Sequence, residues 1–195
     1  RENASIRLKL DDGTFTTISE NSELRLEKLN SQIVTEKKAF KEVETQQKQI
    51  DLKLLKGAAF SKVKKLNEKS SFKVITPSSV CGVRGTSFEV EQTAEESKVS
   101  VLEGQVDVVN PEFPDRVAKV KQGQQTSVRG KNAPGAVAKM DDAKLKQLNQ
   151  LAQEIVKEVY IELTPEFVDQ SYKSVKKTDD TEDFEYTVRI KNILP

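Results

Sequence analysis

Few side chains in this sequence have the chemistry of a reaction centre. Three adjacent carboxylate pairs stand out, Asp11-Asp12, Asp141-Asp142 and Asp179-Asp180, with one thiol, Cys81, and one guanidinium set among small residues, Arg84. Paired carboxylates cleave glycosidic bonds when roughly 5–10 Å separates them across the scissile bond. Pairs adjacent in sequence fit turns and helix caps better than they fit that geometry. Histidine is absent from all 195 residues, which removes the commonest general base and the commonest metal ligand. A single cysteine makes no internal disulfide and no Cys-x-x-Cys site, and without a histidine to activate it Cys81 reads as a small buried hydrophobe. No catalytic, cofactor-binding or metal-ligating residue is assigned, and an enzyme is not expected.

Charge excludes a further class of function. Lys and Arg number 32 against 31 Asp and Glu, a net charge of +1, which argues against nucleic acid as the main partner. The charges are unevenly spread. Residues 35–69 carry ten basic and five acidic side chains, and residues 84–115 carry two against eight. These are solvated faces or an electrostatic docking surface. No apolar run approaches the roughly 18–20 residues of a membrane helix. The sequence starts at Arg1 without methionine and reads as a trimmed or mature fragment, so an anchor upstream of Arg1 is compatible with it.

The elements that must position these side chains are mostly strands. Four stretches repeat apolar alternation followed by glycine: Leu8 to Gly13, Leu52 to Gly57, Val99 to Gly104 and Val117 to Gly123. Period-two alternation buries one face of a strand, and glycine supplies the positive φ of a tight hairpin turn. Val106 and Val108 are expected to pair with Val99 and Val101 across Gly104. Residues 35–49 read as an exposed excursion, a long hairpin or a loop. Pro77 ends the strand through Phe72 and Val74 at Thr76 or places it at an edge. Arg129 to Gly135 reads as a linker.

Beyond it the period changes. Leu145, Leu148, Ala152, Ile155 and Val159 fall on one helical face after an Asp141-Asp142 start, which predicts a helix over about 141–160 whose stripe docks on the β domain. Phe184, Tyr186, Val188 and Ile190 alternate as a half-buried strand. The fold class is mainly β, an antiparallel β-sandwich or β-roll of glycine-turn hairpins, followed by one amphipathic α-helix and a C-terminal strand. Two units are expected: a β domain over 1–130 and a helix-plus-strand extension over 131–195, packed on it.

The segment Phe72 to Val90 contains Thr76-Pro77, the small residues Ser78-Ser79, Cys81 and Gly82, then Val83-Arg84-Gly85-Thr86, Phe88 and Val90. Gly82 and Gly85 are expected where a Cβ would obstruct the backbone, and Thr86 is expected to bond local main chain. Phe88 and Val90 anchor the core. Arg84, with five donors, is expected as an internal staple gathering carbonyls.

This segment resembles the FecR domain family, whose pattern is an apolar strand, Thr-Pro, small residues, Val-Arg-Gly-Thr, a polar residue, Phe, any residue and Val. A strand with Leu-x-Gly-x-Val follows, here Leu102 to Val106 including Gly104. Leu8 to Leu26 resembles the opening strands and Lys119 to Gln125 the closing turn, so the resemblance spans about 1–130. It implies a non-enzymatic β module in the bacterial periplasm or cell envelope, held in some members by lipid or peptidoglycan anchors, and Cys81 as a buried spacer. Founding members relay the state of an outer-membrane receptor to a cytoplasmic sigma factor. Within this sequence no membrane helix precedes the domain, and the extension does not match the family's usual receptor-facing module. The expected function is therefore an envelope binding or scaffold module presenting a β surface to a protein or a peptidoglycan-associated partner. The alternatives are the periplasmic part of a sigma-factor regulator, or a surface adhesin using the basic 35–69 region.

Overall fold

The computed structural model describes residues 5–10, 13–38, 41–153 and 186–189. Asp11-Asp12, Asp179-Asp180 and the helical reading beyond Gln153 lie outside the described residues. The strands are β1 (Ile6–Lys9), β2 (Phe15–Ile18), β3 (Glu23–Lys38), β4 (Lys41–Lys62), β5 (Ser71–Ile75), β6 (Val80–Val83), β7 (Ser87–Gln92), β8 (Glu96–Glu103), β9 (Gln105–Val109), β10 (Ala118–Lys121), β11 (Gln124–Arg129), β12 (Ala138–Lys139) and β13 (Tyr186–Arg189). One helix, α1 (Asp142–Gln153), stands between β12 and β13. Among the described residues the fold is mainly β with one helix.

Two layers share one strand. The N-terminal part of β4 pairs with β3 and with β5, and its C-terminal part pairs with β2 and β7. The first layer therefore holds β1, β2, β7, β8, β11 and β12, and the second holds β13, β3, β5, β6, β9 and β10, with β4 bridging them. The core lies between them. Phe88, Val90, Val99 and Val101 from the first layer and Phe72, Val74, Cys81, Val106 and Val108 from the second belong to one buried cluster. The Phe72 and Phe88 rings meet edge to face across the layers, with centroids 6.5 Å apart, a favoured aromatic geometry.

Glycine does something other than expected in most of these repeats. Gly13 closes a true hairpin between β1 and β2, with its N–H donating to Leu10 O at 3.0 Å. Gly57 makes no turn; it stands inside β4, at φ +89°, where that strand passes from one layer to the other. Gly85, Gly104 and Gly123, all at positive φ, mark further crossings. β8 and β9 consequently do not pair, and the expected Val99–Val101 with Val106–Val108 hairpin is corrected: β8 lies between β7 and β11, and β9 between β6 and β10. The same backbone conformation serves a hairpin and a layer-crossing corner. The β4–β5 pair is parallel, a departure from an all-antiparallel meander.

The 35–49 excursion is a long hairpin, with β3 and β4 in register from Asp51↔Lys28 out to Lys41↔Lys38. The 129–135 stretch is tied down rather than free: Gly135 N donates to Ser127 O, the Thr126 hydroxyl donates to Gly135 O, and Asn110 Nδ2 donates to Gly130 O and Asn132 O. Asp141 caps α1, its Oδ1 accepting from Lys144 N at 2.7 Å, which satisfies one orphan donor of the first turn. The helix covers the outer face of the first layer, where Phe60, Leu102, Met140 and Leu148 form a second buried cluster joined by Phe15, Leu145, Leu151 and Ala152. β13 pairs with β3, Tyr186 opposite Leu26.

Candidate functional site

The Thr-Pro turn is a packing device. Thr76 is buried at the end of β5, and its Oγ1 accepts from Ser79 N at 2.9 Å and Ser78 N at 3.3 Å. Its hydroxyl also meets those of Ser79 and Ser97, and Ser97 in turn donates to Gln92 Oε1. Ser78 and Ser97 bond each other at 3.0 Å, and Ser78 donates to Val128 O. A buried hydroxyl network thus ties the β5–β6 turn of the second layer to β7, β8 and β11 of the first. Buried hydroxyls demand such mutual satisfaction, since each unpaired one costs about 1–3 kcal/mol. The sequence places Thr76 at a strand end and in the Thr-Pro motif; the hydroxyl network it joins comes from the fold. Pro77 is exposed beside it.

Cys81 is fully buried, and burial pushes its thiol up to about 12. The thiolate needed for nucleophilic chemistry is therefore suppressed, and the buried-spacer expectation fits this placement.

The Val83–Thr86 turn has two sides. Inward, Thr86 exchanges main-chain bonds with Val63 at 2.9 and 3.1 Å, and its hydroxyl donates to Gln105 O at 2.9 Å, a partner 19 residues away rather than a local one. Gly104 packs against this turn so closely that a Cβ there would lie 2.8 Å from Gly85 O. Outward, Arg84 is exposed, and its Nη2 donates to Glu68 O at 3.1 Å. The internal-staple expectation for Arg84 is corrected accordingly: it stands one residue past the end of β6, on the exposed side of the turn, where it holds one carbonyl. Gly82 also departs from expectation, since a Cβ added there would meet nothing within 4 Å.

Arg84 borders the main candidate site, a cleft of about 570 Å³ on the outer face of the second layer. Gln49 from β4, Ser71 and Lys73 from β5, Gly82 from β6, and Gln105 and Asp107 from β9 line it, with Glu68 and Lys69 on the preceding loop. These residues alternate with the inward Phe72, Val74, Val83 and Val106. Register sets Lys73 directly opposite Gly82, and Gly82 directly opposite Asp107. Val83, Arg84, Gly85 and Thr86 all line this cleft; Phe88 and Val90 lie in the core, Thr76 and Pro77 at the far end of the β5–β6 hairpin. Lys73, Asp107 and the two glutamines were missed by sequence reading, because outward strand positions look alike before topology gathers them.

A second charged cluster lies beneath α1. Lys144 Nζ contacts Glu89 and Glu91, which sit two apart on the outer face of β7. Burial raises the Glu89 carboxyl to about 7 against the lowering effect of Lys144. Burial alone would lower the Lys144 ammonium, but Glu89 and Glu91 outweigh it and hold it above the usual lysine range. Among the described residues no group of three or more His, Cys, Asp or Glu is arranged to hold a metal ion, and no helix is long and apolar enough to cross a membrane.

The Thr76–Gly104 pattern sits within a stretch matched by a family model described as FecR protein, over residues 1–107. The chain belongs to the FecR family. The Lys119–Gln125 turn lies beyond the FecR match. No curated protein matches the chain. Among solved structures, the FecR chain is similar to a candidate anti-sigma factor from Parabacteroides distasonis ATCC 8503, at 23% identity and a TM-score of 0.50 over 75% of this chain and 61% of that one. A second crystal structure of the same description matches at 24% identity and a TM-score of 0.49, with the same coverage. The likeness is one of fold, and the alignment takes in less than two thirds of the length of those proteins.

Proposed function

We propose that this FecR-family chain is the partner-reading β domain of a sigma-factor regulator, acting in the bacterial cell envelope without catalysis of its own. The FecR match over residues 1–107 carries this reading, and the fold shared with a candidate anti-sigma factor agrees with it. The reading takes precedence over a general envelope scaffold, because family membership and fold similarity point the same way. The surface-adhesin alternative has less behind it: within the basic 35–69 region Lys48 is buried and Lys53 pairs with Glu27 at 2.8 Å, and neither the family match nor the shared fold speaks for adhesion. The partner is a protein, recognised on a surface fixed by the two-layer core.

Deleting the gene in its own cell tests this directly. Transcription from the promoters of one sigma factor is expected to change while other promoters stay level. Unchanged transcription of every sigma regulon, with and without receptor stimulation, contradicts the proposal.

A further inference from the structure

Gly82 stands in β6 at the floor of the cleft with no structural reason to be glycine. Its φ is not positive, and the space above its Cα is open to 4 Å. An interior strand glycine weakens the strand and gives nothing to pack, and such residues mark a bulge, a tight bend or a place where a ligand or another backbone approaches closely; β6 keeps unbroken register with β5 and β9 through Gly82, which favours the last. Two cations flank this bare floor. Lys73 is directly opposite Gly82, and Arg84 is two residues along on the same face. Among the described residues Lys73 has no ion-pair or hydrogen-bond partner, and Arg84 uses its fork on the Glu68 carbonyl alone. Gln49 and Gln105 line the same cleft; the Gln105 amide nitrogen donates to Asp107 Oδ1 at 3.0 Å, which leaves its oxygen as an acceptor, and the Gln49 amide carries both a donor and an acceptor, the complement of a peptide backbone. The volume, about 570 Å³, lies in the range of clefts that hold a short peptide or a drug-sized ligand.

We propose that this cleft binds an extended, carboxylate-bearing segment of a partner protein, its main chain crossing Gly82 and its acidic side chain held by Arg84 and Lys73. Guanidinium and ammonium groups bond carboxylates by charge-assisted hydrogen bonds, with the planar fork giving direction. Asp107 on the other side of Gly82 repels a second acid and so limits register. This names what the regulator domain would grip and rests on that reading for its biological setting. Peptide binding and the transcriptional response are separate measurements, so either proposal can fail alone.

The test is titration calorimetry at low ionic strength with an end-blocked tetraglutamate peptide, an end-blocked tetraglutamine peptide and free glutarate. Tetraglutamate is expected to bind, and Arg84→Gln or Lys73→Gln to weaken it about tenfold each, the loss of one charge-assisted contact. Lys119→Gln, on exposed β10 outside the cleft lining, is expected to leave affinity unchanged. Gly82→Val is expected to abolish binding while the protein melts at the same or a higher temperature. The proposal is overturned if tetraglutamine binds as well as tetraglutamate, if Gly82→Val binds like wild type, or if glutarate binds as tightly as the peptide and so shows a small-anion site. Should Gly82→Val fail to fold, the Arg84→Gln and Lys73→Gln titrations decide alone.

Discussion

Ser22 occupies the space a side chain on Gly57 would need: a Cβ there would fall 2.1 Å from Ser22 Oγ and 2.6 Å from Ser22 Cα. The Ser22 hydroxyl accepts from Ala58 N at 3.0 Å and reaches Ala58 O at 3.3 Å. These contacts clamp β4 at the point where it changes layers. Gly57→Ala meets both a positive φ and a backbone clash, and is expected to cost about 2–4 kcal/mol. Denaturant unfolding measures it, and a loss below about 1 kcal/mol would show that the corner relaxes.

The hydroxyl network around Thr76 gives a second expectation. Thr76→Val keeps the shape but leaves Ser78 N and Ser79 N without their acceptor in a buried place, and takes from the Ser97 hydroxyl one contact while those to Gln92 and Ser78 remain. A cost of about 2–3 kcal/mol is expected from the unpaired groups. Ser97→Ala in the Thr76→Val background is expected to cost less than it does alone, since one of its partners is already gone. Additive losses in that double-mutant cycle would show that the hydroxyls act independently.

Arg84 and Thr76 illustrate how the motif was legible in part. Alternation identified the core faithfully, with Phe88, Val90, Val99 and Val101 all fully buried. It could not say which layer each strand joins, because Gly13 in a hairpin and Gly104 at a crossing share φ +82°. The error over the Val99–Val108 pairing follows from that degeneracy. Glu89 shows another limit. Alternation puts it outside, between Phe88 and Val90, yet it is 2% exposed because α1 covers that face. Only tertiary placement reveals Glu89 and Lys144 as buried partners. The cleft residues were individually visible but ungrouped, since Lys73, Gly82 and Asp107 meet only through the β5–β6–β9 register.

The Glu89 carboxyl makes stability depend on pH. Folded Glu89 titrates near 7 against an ordinary 4.5, so between those values the native state holds a proton that the unfolded chain has released. Stability from this group is full below about pH 4.5 and is lost as pH rises through 7. Glu89→Gln, uncharged at every pH, removes that dependence. The stability difference between wild type and Glu89→Gln is expected to shift against wild type by up to about 3 kcal/mol from pH 4.5 to 7.5. Parallel stability–pH curves would refute the buried-carboxyl account.

Leu148 and Met140 hold α1 on the sheet. Leu148→Ala is expected to cost about 2–4 kcal/mol, as for other fully buried leucines. It should also raise amide exchange along residues 142–153 more than in β7 or β8. Uniform acceleration across both layers would mean that helix and sheet open as a single unit.

The most direct measurement places Gly82→Val in the chromosomal copy of the full-length protein and reads sigma-dependent transcription under receptor stimulation, beside wild type and a deletion strain. A normal amount of protein with a lost transcriptional response is the outcome expected of a regulator that reads its partner through the Gly82 cleft. A full response in the Gly82→Val strain, or no difference between wild type and the deletion strain, would contradict it.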